Sequence, residues 1–245
     1  MITAASNSRI KRLVQLNQKS KLRRTEDVFL AEGVKMFLEA PREQLQEVYV
    51  SESFLEKCSC REHMEEVGYE VVSDSVFSKI SDTCTPQGVL CVLKQFHYNI
   101  EEMLRDKAPL FLLLENIQDP GNLGTMLRTG EGAGVSGIIM SRDTVDLYNP
   151  KVIRSTMGSI YRVPFYYADD FAAAVHQVQQ AGVSVYAAHL RGKNSYACQD
   201  YTKGTAFLIG NEGNGLREET AELADCYIRI PMEGKVESLN AAVAS

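Results

Sequence analysis

The chain has 245 residues, room for one large domain or two modest ones. Its composition, 44% apolar and 24% charged, is that of an ordinary globular protein. It lacks the run of about 18 apolar residues that a membrane helix needs, and MITAASNSRIKRL has no apolar secretory core. The six cysteines are scattered, and Cys58-Ser59-Cys60 has no second ligand pair to complete a zinc site. The four histidines, His63, His97, His176 and His189, form no ligand pattern either. No metal and no disulfide framework are therefore expected, and the expected compartment is the reducing cytoplasm. The net charge of −6 disfavours a nucleic-acid partner only if it is spread evenly. It is not: Met1 to Arg24 holds seven basic residues (Arg9, Lys11, Arg12, Lys19, Lys21, Arg23, Arg24) and no acidic one. That segment is either a solvated helix face or a phosphate-binding surface.

In chain order, Ile10, Leu13, Val14, Leu16 and Leu22 recur at roughly helical spacing, which predicts an amphipathic basic helix. Phe29 to Ala40 reads as a strand running into a helix, and Leu45 to Glu52 alternates as a strand. SFLEKCSCREHMEEVG reads as a helix stopped by Gly68, YEVVS as a short strand, SDSVFSKISD as a helix and GVLCVLK as an apolar strand. This α–β alternation predicts a small α/β domain over residues 1–97. The polar stretch 98–108 reads as a linker, and residues 109–245 as a second domain.

FLLLENI opens that domain as an apolar run, the mark of a strand buried on both faces. Then come a helix from Asn122 to Gly134, the strand GIIMS, a helix from Lys151 to Ser159 and VPFYY. The helix DFAAAVHQVQQAG, the strands VSVYAAHL and GTAFLIG, the helix LREETAELAD and the strand CYIRIPM complete it. Repeated βα units predict a mostly parallel, Rossmann-like α/β sheet.

Three loops carry chemistry. In Glu115-Asn116-Ile117-Gln118-Asp119-Pro120-Gly121-Asn122, Pro120-Gly121 makes a turn and Asn122 falls at or near a helix N-cap, with Arg128 six residues on. A helix N-terminus beside an arginine suits an anion, and an ordinary capped helix would read the same way. Gly210-Asn211-Glu212-Gly213-Asn214-Gly215 has three glycines after a predicted strand, where open α/β sheets place ligands. In Ile230 to Ala244, the apolar Ile230, Met232 and Leu239 could clamp a flat ring, and Ser238 could cap a helix starting at Leu239. Gly132-Ala133-Gly134-Val135-Ser136-Gly137 matches G-x-G-x-x-G literally, but it follows a helix and opens a strand, the reverse of a dinucleotide site.

Taken in order, ENIQDPGNLGTMLRTGEGAG, NPKVIRSTMGSIYRVP, FLIGNEGNGL and IPMEGKVESLNAAVA resemble the signature motifs of the SpoU (TrmH-like) branch of SPOUT RNA methyltransferases. FLAEGVKMFLEA and TPQGVLCVLK are similar, more weakly, to the L30e-like substrate-binding domain of ribosomal RNA members. The resemblance implies a sheet with a C-terminal trefoil knot, a homodimer, and S-adenosylmethionine bound between the second and third loops. It places cofactor contacts on Gly210, Ile230 and Leu239, with Asn211 a lesser candidate, and catalytic positions on Asn122, Arg128, Glu212, Ser238 and Asn240. Similar proteins continue with a full C-terminal helix, so the resemblance also implies that this helix is cut short at Ser245. Ala241-Ala242 stands where many relatives carry valine and serine. The implied activity is 2′-O-methylation of ribosomal RNA. Transfer RNA, base methylation, and an RNA-binding module without catalysis are the alternatives.

Overall fold

The computed structural model describes residues 1–58, 60–235 and 238–245. Ser59 of the Cys58–Cys60 segment, and Val236 and Glu237 of the third loop, lie outside the described residues. The chain forms two compact units, one of residues 1–96 with 146–161, the other of 97–145 with 162–245.

The first unit is built on a four-stranded mixed sheet of β1 (Val28–Glu32), β2 (Leu45–Ser51), β3 (Glu70–Val72) and β4 (Val89–Lys94), in the order β1-β4-β2-β3. β4 runs antiparallel to both neighbours, and β2 pairs with β3 in parallel. The basic N-terminal segment makes two helices, Ser8–Gln18 and Ser20–Glu26, not one. Lys19 is extended between them (φ −117, ψ 104), so the chain turns back and Arg23 points inward. Ile10, Leu13 and Leu16 of the first helix bury against Val76, Phe77, Ile80 and Leu90. Cys58 is likewise extended (φ −72, ψ 140), and the helix expected across it splits into Glu52–Lys57 and Arg61–Val67.

Arg23 is 3% exposed and organises this corner. Its guanidinium donates to the Leu16 and Asn17 carbonyls at 2.6 and 3.1 Å, orphan acceptors at the end of the preceding helix. It also pairs with Asp146 at 2.6 Å. Arg9 and Arg12 are engaged as well, with Glu70 and with Glu26 and Glu47 respectively. Lys11, Lys19, Lys21 and Arg24 stand exposed. The available positive surface is therefore about half of what the sequence suggests.

Residues 146–161, expected in the second domain, pack into the first unit. The helix is Pro150–Thr156, capped by the Asn149 side chain and ended by Met157 in the left-handed region (φ 52). Tyr148 stacks on Phe29 at 4.9 Å, and its hydroxyl both accepts from the Phe96 N–H (2.7 Å) and donates to the Phe96 carbonyl (3.0 Å). The reason is chemical: Val152, Ile153 and Ile160 need a core and are 0–1% exposed here.

The second unit is a seven-stranded, all-parallel sheet with helices. Its strands are β5 (Leu110–Leu114), β6 (Gly137–Ser141), β7 (Phe165–Ala168), β8 (Ser184–Ala188), β9 (Asn194–Ser195), β10 (Thr205–Ile209) and β11 (Cys226–Arg229). The order is β7-β6-β5-β10-β8-β11-β9, with every pairing parallel. β5 sits between β6 and β10, and Phe111, Leu112, Leu113 and Leu114 are buried, as its continuous apolar run requires. β9 was not foreseen, and the helix expected over LREETAELAD is the single turn Glu218–Ala221. The stretch expected as a linker contains the helix Ile100–Met103, capped by Asn99, whose Ile100 and Met103 join the core with Phe111, Val175 and Val183. Among the described residues no helix is long and apolar enough to cross a membrane.

Arg23→Met is expected to cost about 2 kcal/mol, because three hydrogen bonds from a buried cation are lost together, whereas Lys21→Met changes stability by under about 0.5 kcal/mol. Urea unfolding of the two variants measures the difference.

Candidate active site

All strands of the large sheet point the same way, so the loops after β5, β10, β8 and β11 emerge along one carboxyl edge. The first loop enters its helix two residues earlier than expected. The helix is Pro120–Ala133, and its N-cap is Asp119, which accepts the Asn122 N–H at 2.8 Å. Proline is well suited to the first helical position, which displaces the cap from Asn122 to Asp119. Asn122 is therefore inside the first turn, with its amide free for other partners.

Those partners form a directed chain. Asn240 caps the last helix, Ala241–Ala244, by accepting the Ala242 N–H at 2.9 Å on Oδ1. Ser238, expected to cap a helix from Leu239, is displaced from that role because the helix starts two residues later. With Oδ1 of Asn240 occupied, its Nδ2 donates to Asn122 Oδ1 at 2.9 Å. Nδ2 of Asn122 then donates to Glu212 Oε1 at 3.1 Å. Glu212 also accepts the backbone N–H groups of Gln118 (3.0 Å) and Asp119 (2.9 Å). Burial works to raise the Glu212 pKa, but these backbone donors and Asn122 outweigh it and hold the carboxyl below the usual range.

The second loop is shaped by close backbone approach. A Cβ on Gly210 would lie 2.2 Å from the Leu216 nitrogen, so no other residue fits. The loop folds back through paired backbone bonds between Asn211 and Gly215, and Gly215 takes φ +70. The Asn211 side chain accepts from the Gly213 and Asn214 N–H groups, both at 3.0 Å, and donates to the Asn116 carbonyl at 2.8 Å.

A second tie was not legible in the sequence. Glu115, 1% exposed, accepts the Arg217 N–H (2.8 Å) and the Thr220 hydroxyl (2.5 Å) and lies 3.5 Å from the Arg217 guanidinium. Arg217 also pairs with Asp143 after β6. Burial opposes ionisation of Asp143, yet the Ser141 hydroxyl and Arg217 hold its pKa below the ordinary value.

Between the second and third loops lies a cavity of about 300 Å³, within the usual range for small-molecule sites. Its walls include Ile209, Leu216, Ile228, Ile230, Met232 and Leu239, with Gly210, Asn211, Glu212 and Ser238 also in the lining. Ala188 at the end of β8, and His189 and Leu190 just after it, line it too and carry no sequence signal, because that loop has neither a glycine cluster nor a capping pattern. Asn122 meets Glu212 at the cavity wall and Asn240 reaches it through Asn122, neither of them lining the cavity. Arg128 is not brought into this cluster: it is exposed on the same helix, about 9 Å along the axis from Asn122. Among the described residues no group of three or more His, Cys, Asp or Glu is placed to hold a metal ion.

An α/β unit with a small-molecule cavity at the carboxyl edge of a parallel sheet, rimmed by a carboxylate–amide chain, has the architecture of a small-molecule-binding α/β fold. Known proteins narrow the class. Residues 109–245 match the model of the SpoU rRNA Methylase family, and residues 7–91 that of the MRM3-like substrate binding domain. The chain is 32% identical over 247 residues to the Bacillus subtilis 23S rRNA (guanosine(2553)-2′-O)-methyltransferase RlmP, covering 100% of this chain and 95% of that protein. It resembles the AdoMet-bound rRNA methyltransferase of Sinorhizobium meliloti with a TM-score of 0.85 and 30% identity, over 99% of this chain and 93% of that one. It also resembles the SpoU methyltransferase AviRb of Streptomyces viridochromogenes in complex with AdoMet, with a TM-score of 0.87 and 25% identity, over 97% and 94% of the two chains. The chain belongs to the SpoU rRNA methylase family.

Two outcomes follow from the ties between loops. Since the Glu212 pKa is lower folded than unfolded, its contribution is complete above the unfolded value of about 4.3 and disappears as pH falls through the folded value. Glu212→Ala should remove that acid-side loss from a stability–pH curve. Arg217→Met leaves a buried carboxylate without its cation and should cost about 2 kcal/mol, part of which Glu115→Gln restores in the double variant.

Proposed function

We propose that the chain is an S-adenosylmethionine-dependent RNA 2′-O-ribose methyltransferase acting on ribosomal RNA. The observation that carries this reading is the hydrogen-bonded set Asn240–Asn122–Glu212 at the wall of a mostly apolar, nucleoside-sized cavity. The cavity's chemistry fits the cofactor: aliphatic walls from Ile209, Leu216, Ile230 and Leu239 for the adenine, and polar groups at Asn211, Glu212 and Ser238 for the ribose and amino-acid ends. In this reading Gly210, Asn211, Ile230 and Leu239 hold it. S-adenosylmethionine supplies an electrophilic methyl group.

The protein's task is to bring a ribose 2′-hydroxyl in line with that methyl and to ease the loss of its proton late in the step. Arg128 is the group assigned to this. A guanidinium stays protonated, so it acts by holding the substrate phosphate and stabilising the developing alkoxide, not by removing a proton. Asn122 is held at both ends of its amide, and in this reading it fixes the position of the helix that carries Arg128. Glu212 is a positioning residue that keeps the first two loops together. In this reading Ser238 serves the ribose side of the site, and Asn240 orients Asn122.

The first unit is the RNA-binding part in this reading, with Lys11, Lys19, Lys21 and Arg24 as its phosphate contacts. The Bacillus subtilis relative named for 23S rRNA favours ribosomal over transfer RNA. A cytoplasmic homodimer, an L30e-like first domain and a C-terminal trefoil knot belong to the same reading.

Arg128→Ala should lower turnover by about 10²- to 10³-fold while S-adenosylmethionine affinity stays within about twofold. Turnover is read as alkali-resistant linkages in digested ribosomal RNA, and affinity by calorimetry. Equal loss of both would remove Arg128 from its assigned role, and alkali-sensitive product would point to base methylation.

A further inference from the structure

The loop after β8 supplies a residue to the cavity that no motif marks. β8 lies between β10 and β11, so its carboxyl end opens between the second and third loops. His189 stands there, half-buried, in the cavity wall. Its ring is held in two ways. One face lies against Tyr227, with centroids 5.0 Å apart at 33°. Nδ1 accepts the Arg191 N–H at 3.1 Å. A ring nitrogen that accepts carries no proton, so the neutral imidazole has its proton on Nε2. Burial and the charge of Arg191 push the pKa of the ring down, against an opposing pull from Glu218, and the net shift favours the neutral form. Among the described residues Nε2 has no hydrogen-bond partner. A fixed ring with an unspent donor, set among aliphatic walls, is the kind of isolated polar group that orients a ligand.

We propose that His189 is a cofactor-binding residue whose Nε2–H donates to an acceptor oxygen of S-adenosylmethionine, with Tyr227 and the Arg191 backbone positioning the ring. This rests on the reading that the cavity between the second and third loops seats the cofactor. Two oxygen types on the ligand fit such a donor, the ribose hydroxyls and the carboxylate. Tyr227 and Arg191 contribute by fixing ring plane and tautomer.

The test is calorimetric titration of the full chain and its variants with S-adenosylmethionine, S-adenosylhomocysteine and 5′-methylthioadenosine, which lacks the amino-acid end. His189→Phe keeps an aromatic ring beside Tyr227 and removes the donor; it should weaken the first two ligands by about tenfold. His189→Gln restores an N–H near the Nε2 position and should stay within about threefold of the unmodified protein. If His189→Phe also weakens methylthioadenosine, the acceptor is on the ribose; if that ligand is unaffected, it is the carboxylate. Both results support the proposal. Equal losses in His189→Phe and His189→Gln would overturn it, since packing and not the donor would then matter. Leu239→Trp, which fills the cavity, separates the two readings. Lost binding there, with unchanged binding in His189→Phe, overturns the histidine and keeps the cavity. Unchanged binding in Leu239→Trp removes both.

Discussion

The carboxylate of Glu212 is the constraint on which the rest of the site depends. It takes two backbone N–H groups from the first loop and one amide N–H from Asn122, so it is spent entirely as an acceptor. An ionised carboxylate cannot donate. Its charge therefore sets the direction of each bond upstream: Asn122 must turn its NH₂ toward Glu212 and its oxygen toward Asn240, and Asn240 must turn its NH₂ toward Asn122. The last helix then caps on the Asn240 oxygen that remains. One negative charge thus fixes two amide orientations and the start of a helix in three different loops, with no interaction longer than 3.1 Å in the chain.

The second tie, through Glu115 and Arg217, works by a different principle. Glu115 is nearly fully buried, so its charge is tolerable only because the Arg217 N–H, the Thr220 hydroxyl and the guanidinium face it together. Glu212 holds the second loop from the front and Arg217 holds it from behind. Between them the backbone of Gly210 to Leu216 is drawn so close to itself that a side chain at Gly210 has no room. Ties of this kind favour a preformed cavity wall, which orients a flexible ligand without spending binding energy on ordering itself.

The sheet was legible from residue pattern alone. FLLLENI reads as a strand buried on both faces because parallel strands under helices must be apolar throughout, and β5 is such a strand. The three loops were legible because glycine, proline and asparagine mark backbone that does something unusual. What escaped notice had no such mark. Glu115 looks like any acidic residue at a strand end, and only burial reveals its partners. His189 lies in a loop of ordinary composition, and its place in the cavity follows from strand order, which periodicity does not encode. Asn122 lies near the cap and Asp119 is the cap itself, because Asp119-Pro120 and Asn122 are both valid helix starts and the proline decides between them. Which of the seven N-terminal basic residues stay available is hidden for a similar reason: Arg23, Arg12 and Arg9 look equivalent to their neighbours until their carboxylate partners, distant in sequence, are known.

The excursion of residues 146–161 into the first unit carries a consequence for synthesis. On a ribosome the first 96 residues emerge early, but they are not the whole of their unit. Arg23 waits for Asp146, Phe29 for Tyr148, and the Met36 carbonyl for the Tyr161 hydroxyl, which donates to it at 3.0 Å. The amino-terminal unit is completed only after β5 and β6 of the other unit have already been translated. The two units are thereby interleaved in chain order, and a cut at residue 96 would part the first unit from residues 146–161.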